Sequence, residues 1–225
     1  MAKNDFSAEA PVNYEQKCLF VLVLDISSSM QGTPIAELNR GLQSFYKEVE
    51  GDPTASQRLE VSLITFNHIV TTVQEPALVE NFKMPTLTVF GSTAMVDAVH
   101  EAIAKVAARK AWYKSEHQLY YRPWIILMTD GEPDSGQDVV GLASTIKADT
   151  AAKKYAFLPI GVEGANMAIL NQIASSDIPA MSLKGTNFNA FFLWLSASAQ
   201  TIINEEEGQT VTLADPSDWM NAFTI

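Results

Sequence analysis

The strongest constraint on the fold is an apolar run at residues 18–24, in which seven residues follow one another without polar alternation. A strand of this kind is buried on both faces, which is typical of a parallel sheet covered by helices on two sides. Polar residues begin where the run stops, in the sequence Asp-Ile-Ser-Ser-Ser that starts at Asp25. Because ligands of open α/β sheets bind at the carboxyl ends of strands, this junction is the predicted place of a functional site.

The rest of the chain alternates between predicted strands and predicted helices. Further strands are predicted at residues 59–66, 69–73, 124–128, 155–162 and 178–183, and helices at residues 35–49, 94–112, 137–153, 166–175 and 189–203. Only Asn67 and His68 separate the second strand from the third, which predicts a β-hairpin and an antiparallel edge strand. The order of elements predicts a three-layer α/β/α, Rossmann-like domain with a mostly parallel central sheet.

A chain of 225 residues is long enough for one well-buried α/β domain and short for two. We assign residues 15–203 to that domain, residues 1–14 to an N-terminal extension and residues 204–225 to an acidic C-terminal tail. The tail holds five acidic residues and no Lys or Arg, which favours a weakly ordered, solubilising segment. Trp219 and Phe223 near its end leave a docking segment as the alternative.

Charge and hydropathy argue against several classes of partner. A net charge of −11 disfavours binding to nucleic-acid backbones and to anionic membranes. No apolar run approaches the ~20 residues that cross a bilayer, and the first residues lack the basic and apolar regions of a secretion signal. The single cysteine, Cys18, lies in a predicted buried strand, as a cytosolic core thiol would. We therefore expect a soluble, cytoplasmic protein.

Asp25, Ser27 and Ser29 have the chemistry of a metal site. A chain that leaves a strand still extended points alternate residues the same way, so these three side chains would share one side. Carboxylate and hydroxyl oxygens are hard ligands, and Mg²⁺ prefers about six oxygens at roughly 2.1 Å. Helix capping would not require three such residues at one strand end. The spacing therefore predicts a metal site after the first strand.

This Asp-x-Ser-x-Ser pattern resembles the metal-ion-dependent adhesion site (MIDAS) of the von Willebrand factor A (vWA) family. The family completes that site with a threonine from a second loop and an aspartate from a third, and Thr93 and Asp130 stand in the matching positions. The resemblance implies that Ser27, Ser29 and Thr93 ligate Mg²⁺ or Mn²⁺ directly, whereas Asp25 and Asp130 ligate it directly or through water. In the family the last ligand is an Asp or Glu of a partner protein. The resemblance thus implies a non-enzymatic protein–protein interaction module.

Some residues near the predicted site have simpler interpretations. Thr93 or Ser92 could cap the helix predicted from residue 94, since Ser and Thr are favoured at helix N-termini. Asp130, in a Thr-Asp-Gly sequence, could be an ordinary turn residue. Glu132 and Asp134 follow it closely, and we interpret them as loop or capping residues.

A second resemblance is to one bacterial group within the family. The sequence Phe-Phe-x-Trp-Leu-Ser at residues 191–196, together with Leu-Asp-x-Ser-x-Ser-Met at residues 24–30, is similar to that of cytosolic tellurium-resistance proteins of the TerY-like group. This resemblance implies a scaffold or regulator in a stress-response system, with kinase-like or phosphatase-like partners from the same gene cluster. Some family members also couple metal ligation to movement of the last helix, here residues 189–203.

An enzyme is the main alternative. Haloacid-dehalogenase phosphatases need a second acid two residues after the first aspartate, where this chain has Ser27. The chain also lacks a Gly-x-Ser-x-Gly elbow and the two glycine-rich phosphate-binding motifs. We interpret His68, His100 and His117 as structural or surface residues. A metal-dependent phosphohydrolase that uses the same strand-end carboxylates, and a structural module with a vestigial site, are the competing hypotheses.

Overall fold

The computed structural model describes residues 4–82, 84–130, 132–204 and 213–221, in which strands and helices alternate. The strands are β1 (Cys18–Asp25), β2 (Leu59–Phe66), β3 (Val70–Leu78), β4 (Trp124–Thr129), β5 (Ala156–Gly161) and β6 (Met181–Ser182). The helices are α1 (Thr33–Gly51), α2 (Ala55–Arg58), α3 (Met95–Ser115), α4 (Val139–Ala151), α5 (Met167–Ile173) and α6 (Phe188–Asn204). Single 3-10 turns cover Ser28–Met30, Val79–Asn81 and Pro216–Asp218.

The six strands form one sheet in the order β3-β2-β1-β4-β5-β6. All neighbouring pairs are parallel except β2 and β3, which form the predicted hairpin. β3 is therefore an antiparallel edge strand, and the predicted fold class is confirmed. β1 lies between β2 and β4, and all eight of its residues are buried.

Alternate residues of β1 pack into two separate hydrophobic cores. Phe20 and Leu22 belong to the core that includes residues of α1 and α6. Val21 and Val23 belong to the core that includes residues of α3, α4 and α5. Because both faces of the strand are covered, no position in the run favours a polar side chain.

Two strands differ in length from their sequence predictions. β3 continues past the predicted end at residue 73 to Leu78, and it includes Pro76. An edge strand tolerates proline because one side of its backbone needs no partner strand. β6 contains only Met181 and Ser182, since the chain before it makes a turn in which the Ile178 amide donates to Ser175 Oγ at 3.0 Å. The short helix α2 has no counterpart in the sequence prediction.

The C-terminal segment at residues 213–221 packs against the domain. Trp219 is fully buried, and its ring lies 4.9 Å from the ring of Phe191 and 5.1 Å from that of Trp194. Met220 forms an antiparallel bridge with Leu183, directly after β6. The structure of this segment therefore differs from the interpretation of a solubilising tail. The acidic residues at 205–207 and Phe223 lie outside the described residues.

A buried charged network lies at the end of the sheet where β1 and β2 begin. Arg109 on α3 donates two hydrogen bonds to Glu60, from Nε to Oε2 and from Nη2 to Oε1, both at 2.8 Å. The Tyr113 hydroxyl donates to Glu60 Oε2 at 2.6 Å. The N-terminal extension covers this network, because Glu9 Oε2 accepts from Arg109 Nη1 at 2.6 Å and the Phe6 ring centre lies 5.0 Å from Arg109 Cζ.

Candidate metal centre

Backbone hydrogen bonds tie three loops together at the opposite end of the sheet, where β1, β2, β4 and β5 end; we call it the carboxyl end. The Ser28 amide, in the loop after β1, donates to Gly91 O at 3.0 Å. The Asp134 amide, in the loop after β4, donates to Thr93 O at 2.9 Å. These loops carry four of the five residues predicted to hold a metal, and the fifth, Asp25, is the last residue of β1. The topology of the sheet therefore places Thr93 and Asp130 at the same end as Asp25.

Four of the predicted residues form one hydrogen-bonded chain. Asp25 is fully buried, and its Oδ1 accepts from the Ser27 amide at 2.7 Å. The Ser27 and Ser29 hydroxyl oxygens lie 2.9 Å apart. Ser29 Oγ then donates to Asp130 Oδ1 at 2.7 Å. The carboxylate at the end of β1 is thus linked to the one just after β4 through the Ser27 amide and the hydroxyls of Ser27 and Ser29.

Thr93 is placed beside this chain but does not join it. Its residue is 7% exposed, and within the described part of the chain its side chain makes no hydrogen bond. The interpretation of Thr93 or Ser92 as a helix cap is wrong, because α3 begins at Met95 and its N-cap residue is Ala94. Gln137 takes the capping role instead, since its Oε1 accepts from the Val96 amide at 2.9 Å.

Asp134 and Thr129 hold the predicted ligands through hydrogen bonds, and neither role was predicted from the sequence. Asp134 holds the Thr93 loop, because its Oδ1 accepts from the Thr93 amide at 3.0 Å and its Oδ2 from Ser92 Oγ at 2.7 Å. Thr129, the last residue of β4, donates its hydroxyl to Asp25 Oδ2 at 2.5 Å. A polar residue at the end of an otherwise apolar strand was the one sequence signal for Thr129.

Burial raises the cost of ionising both carboxylates. Burial raises the pKa of Asp25 to about 6, the nearby charge of Asp130 adds to the rise, and hydrogen bonds from Ser27 and Thr129 oppose it. Burial also raises the pKa of Asp130 above its ordinary value. A cation bound between the two groups would favour their charged forms and offset the cost of burial.

The donor set fits a hard divalent cation. It consists of carboxylate and hydroxyl oxygens, the ligands that Mg²⁺ and Mn²⁺ prefer over softer metals. Among the described residues, no three side chains of His, Cys, Asp or Glu converge as a metal-binding group. Any metal at this position would therefore depend on the serine and threonine hydroxyls as well as the two carboxylates.

The histidines occupy the positions expected of structural or surface residues. His68 packs edge-on against Phe90, with ring centres 5.2 Å apart. His100 and His117 are exposed, on α3 and just after it.

None of the helices in the described part of the chain combines the length and apolarity that crossing a bilayer requires.

Comparison with known proteins gives a family and a fold. The family model of the von Willebrand factor type A domain matches residues 20–194. A search of curated protein sequences gave no match. The vWF domain of the type V pili tip protein Mfa5 from Porphyromonas gingivalis is 14% identical with a TM-score of 0.56, over 87% of this chain and 99% of that domain.

Two longer proteins contain a similar fold. Proximal thread matrix protein 1 of the mussel byssus is 17% identical with a TM-score of 0.56, over 85% of this chain and 46% of that protein. The ArnB paralog VWA2 from Sulfolobus acidocaldarius is 20% identical with a TM-score of 0.50, over 84% of this chain and 44% of that protein. This chain therefore spans less than half the length of either protein.

The family match covers most of the chain, and the sheet with its antiparallel edge strand agrees with the fold of these structures. Domains of this kind generally mediate protein–protein interactions, often with the help of a metal. The chain belongs to the von Willebrand factor type A domain family.

Proposed function

We propose that this chain binds Mg²⁺ or Mn²⁺ through Asp25, Ser27, Ser29, Thr93 and Asp130, and that it recognises an acidic residue of a partner protein through that metal. The observation that carries the proposal is the chain of hydrogen bonds from the buried Asp25 through Ser27 and Ser29 to Asp130. A buried carboxylate and a half-buried one, both with raised pKa values, are the groups whose charged forms a divalent cation would stabilise.

The chain's own residues set what such a site can do. Asp25 and Asp130 together balance the charge of one divalent cation, and the neutral hydroxyls add none, so a further anionic oxygen can still bind. The bound cation supplies electrostatic attraction for that oxygen. Thr129 fixes the orientation of Asp25, and Asp134 fixes the loop that carries Thr93. These contacts hold the ligands in position before a partner arrives.

A binding function is favoured over hydrolysis by the groups around Asp25. A metal-dependent phosphohydrolase needs a general base within reach of its nucleophile. In the described contacts of Asp25, both carboxylate oxygens are held by Ser27 and Thr129, and neither residue is a base. Two proteins of similar fold are named as a thread matrix protein and as a pili tip protein, and neither name is that of an enzyme.

We further propose a cytoplasmic scaffold or regulator of a bacterial stress response similar to tellurium resistance. The support is the resemblance of residues 24–30 and 191–196 to the TerY-like group. Kinase-like or phosphatase-like proteins encoded nearby are the partners to test first. Such a partner would present an Asp or Glu side chain to the metal.

Metal-dependent capture tests the proposal. We expect the wild-type chain to bind Mn²⁺, measured by electron paramagnetic resonance, and to capture the same proteins from bacterial extract in Mg²⁺ but not in EDTA. Asp25→Ala should lose both, because it removes a carboxylate from the centre of the site. Asp177→Ala, at an exposed aspartate on the far side of the sheet, is the matched control and should lose neither.

Two results would contradict the proposal. Capture that is unchanged by both EDTA and Asp25→Ala would mean that another surface binds the partner and that the site is vestigial. Turnover of a phosphate ester in Mg²⁺ that disappears in Asp25→Ala would instead support the hydrolase.

A further inference from the structure

An exposed apolar surface lies beside the loop that carries Ser27 and Ser29. Phe90 is 67% exposed and Ile69 is 58% exposed. The Phe90 amide donates to Ile26 O at 2.9 Å, so this residue runs directly alongside the loop after β1. Together with His68, which contacts Phe90, we call these residues the apolar platform. Exposed apolar groups that cluster next to a binding site are typical of an interaction surface.

The platform is held in place before any partner binds. The rings of His68 and Phe90 meet edge-on, with their centres 5.2 Å apart. Gly91 makes this contact possible, because it adopts a φ of +83° and a Cβ at this position would lie 2.2 Å from His68 Nδ1. A fixed aromatic side chain loses little conformational freedom on binding, which favours its use as an anchor.

The surface around the candidate metal centre is acidic. Within the described residues, the loops at 26–32, 67–69, 84–94, 130, 132–138 and 162–166 contain no Lys or Arg. The exposed Lys184 follows β6, at the edge of this end of the sheet. Asp134 holds the Thr93 loop, but three further acids in these loops are exposed. We call them the acidic rim: Glu132, Asp138 and Glu163.

Basic residues collect at the other end of the molecule. Four of them belong to the C-terminal half of α3, at Lys105, Arg109, Lys110 and Lys114. Lys110 also reaches Lys154, since its Nζ donates to the Lys154 carbonyl at 2.9 Å. Lys105 and Arg109 are buried there in ion pairs with Glu75 and Glu60, and exposed acids lie at that end as well. What distinguishes the surface around the proposed metal site is therefore that its acids have no basic side chains beside them in the same loops.

From the acidic rim and the apolar platform we infer the chemistry of the partner: an Asp or Glu with Lys or Arg close to it in the same segment, and an apolar side chain that packs on the apolar platform. The inference rests on the proposed function and adds what flanks the metal-bound acid. Asp25 and Asp130 already balance a divalent cation, so the partner's carboxylate adds negative charge next to the acidic rim. Neighbouring basic residues on the partner offset that repulsion.

Selection from a peptide library tests the inference. The library has a fixed central Glu and random residues on both sides, and it is selected on the immobilised full chain in Mg²⁺ and eluted with EDTA. We expect the eluted peptides to be enriched in Lys or Arg and in aromatic or aliphatic residues. Replacing the basic residues of a selected peptide by Gln should weaken its binding about tenfold, as should Phe90→Ala in the protein.

Matched variants separate the effect of the acidic-rim charge on peptide binding from an effect on folding. The triple change Glu132→Gln, Asp138→Asn, Glu163→Gln removes the rim charge and keeps oxygen acceptors for Asn166 Nδ2 and for the Gly141 amide. In this variant, peptides with and without basic residues should bind equally. Glu48→Gln, Glu50→Gln and Glu80→Gln remove the same charge from exposed positions at the other end, and this control should keep the tenfold difference.

The outcomes distinguish the inference from the function on which it rests. Peptides that elute with EDTA but show no basic or apolar enrichment would overturn the inference and leave metal-dependent recognition standing. A selection that yields nothing released by EDTA would overturn both. If the triple variant of the acidic rim still prefers peptides with basic residues, other residues cause that preference, and this result would also overturn the inference.

Discussion

Asp25→Asn is expected to stabilise the metal-free protein at neutral pH and to abolish its response to Mg²⁺. The Asp25 carboxyl has a pKa of about 6 in the folded chain, against an ordinary value of 3.8. An acid whose pKa is raised by folding contributes stability below pH 3.8, and that contribution is lost as the pH rises through 6. At neutral pH the buried charge therefore costs up to about 3 kcal/mol.

Asparagine avoids this cost and keeps the local contacts. Its amide oxygen can accept from the Ser27 amide, and its amide nitrogen can donate to the Thr129 hydroxyl. We expect the variant to unfold with a free energy about 1–3 kcal/mol higher than that of the wild type in EDTA at neutral pH. In Mg²⁺ the wild type should be the more stable of the two, because Asp25→Asn removes a metal ligand. Loss of a residue that only contacts a ligand costs roughly 10–100-fold in metal affinity, and loss of the ligand itself costs more.

Urea unfolding from acid to neutral pH, in EDTA and in Mg²⁺, measures both effects. The stabilities of the wild type and Asp25→Asn should diverge as the pH rises from about 4 to 6, where the carboxyl is ionised in the unfolded wild type but still protonated in the folded one, and the difference should level off above pH 6. Asp130→Asn, at a less buried carboxyl, should show a smaller gain in EDTA and the same loss of the Mg²⁺ response. If the free energy of unfolding has the same pH dependence in the wild type and in Asp25→Asn, ionisation of the Asp25 carboxyl does not cost stability.

Glu60→Gln is expected to destabilise the fold by about 3 kcal/mol, because it leaves the buried Arg109 guanidinium without its main counter-charge. Both groups are buried, with side-chain exposures of 5% for Arg109 and 4% for Glu60. Glutamine preserves the shape of Glu60, but it cannot accept both guanidinium bonds and the Tyr113 hydroxyl as a charged carboxylate does. Urea unfolding at neutral pH measures the loss.

Glu9→Gln provides the control, since Glu9 contacts the same guanidinium from a side chain that is 32% exposed. Water screens an exposed pair, so this change should cost less than about 1 kcal/mol. Replacing Glu60 and Arg109 together by methionine should recover part of the stability, because the buried guanidinium is removed together with its counter-charge, whereas the Tyr113 hydroxyl still loses its acceptor. Equal losses for Glu60→Gln and Glu9→Gln would contradict the assignment of Glu60 as the main partner.

The sequence predicts those features of the fold and site that depend on neighbouring residues. The apolar run of β1 and the two-residue link in the hairpin led to the correct sheet, because burial and turn geometry are local in sequence. Asp25, Ser27 and Ser29 could be grouped by spacing alone. Thr93 and Asp130 could be grouped with them only by resemblance, since they are brought close by the order of strands.

Contacts between residues that are far apart in the sequence could not be predicted from the pattern of neighbouring residues. Gln137 caps α3 across 41 positions of sequence, and Asp134 holds the Thr93 loop across the same span. Thr129 reaches Asp25 across 104 positions. Trp219 suggested a docking segment as the alternative to a solubilising tail, but the sequence did not indicate that its ring packs against Phe191 and Trp194, because that surface exists only after α6 has packed.

The docked segment at residues 213–221 lies beyond the end of the family match, yet it packs into the folded domain. The family match ends at residue 194, inside α6, whereas the aromatic contacts of that helix are completed by Trp219. A fragment cut at the family boundary would lose the second half of α6 and expose both the Trp194 ring and the open side of β6. An exposed strand edge beside apolar rings promotes self-association, so the boundary for expression and crystallisation belongs after residue 221.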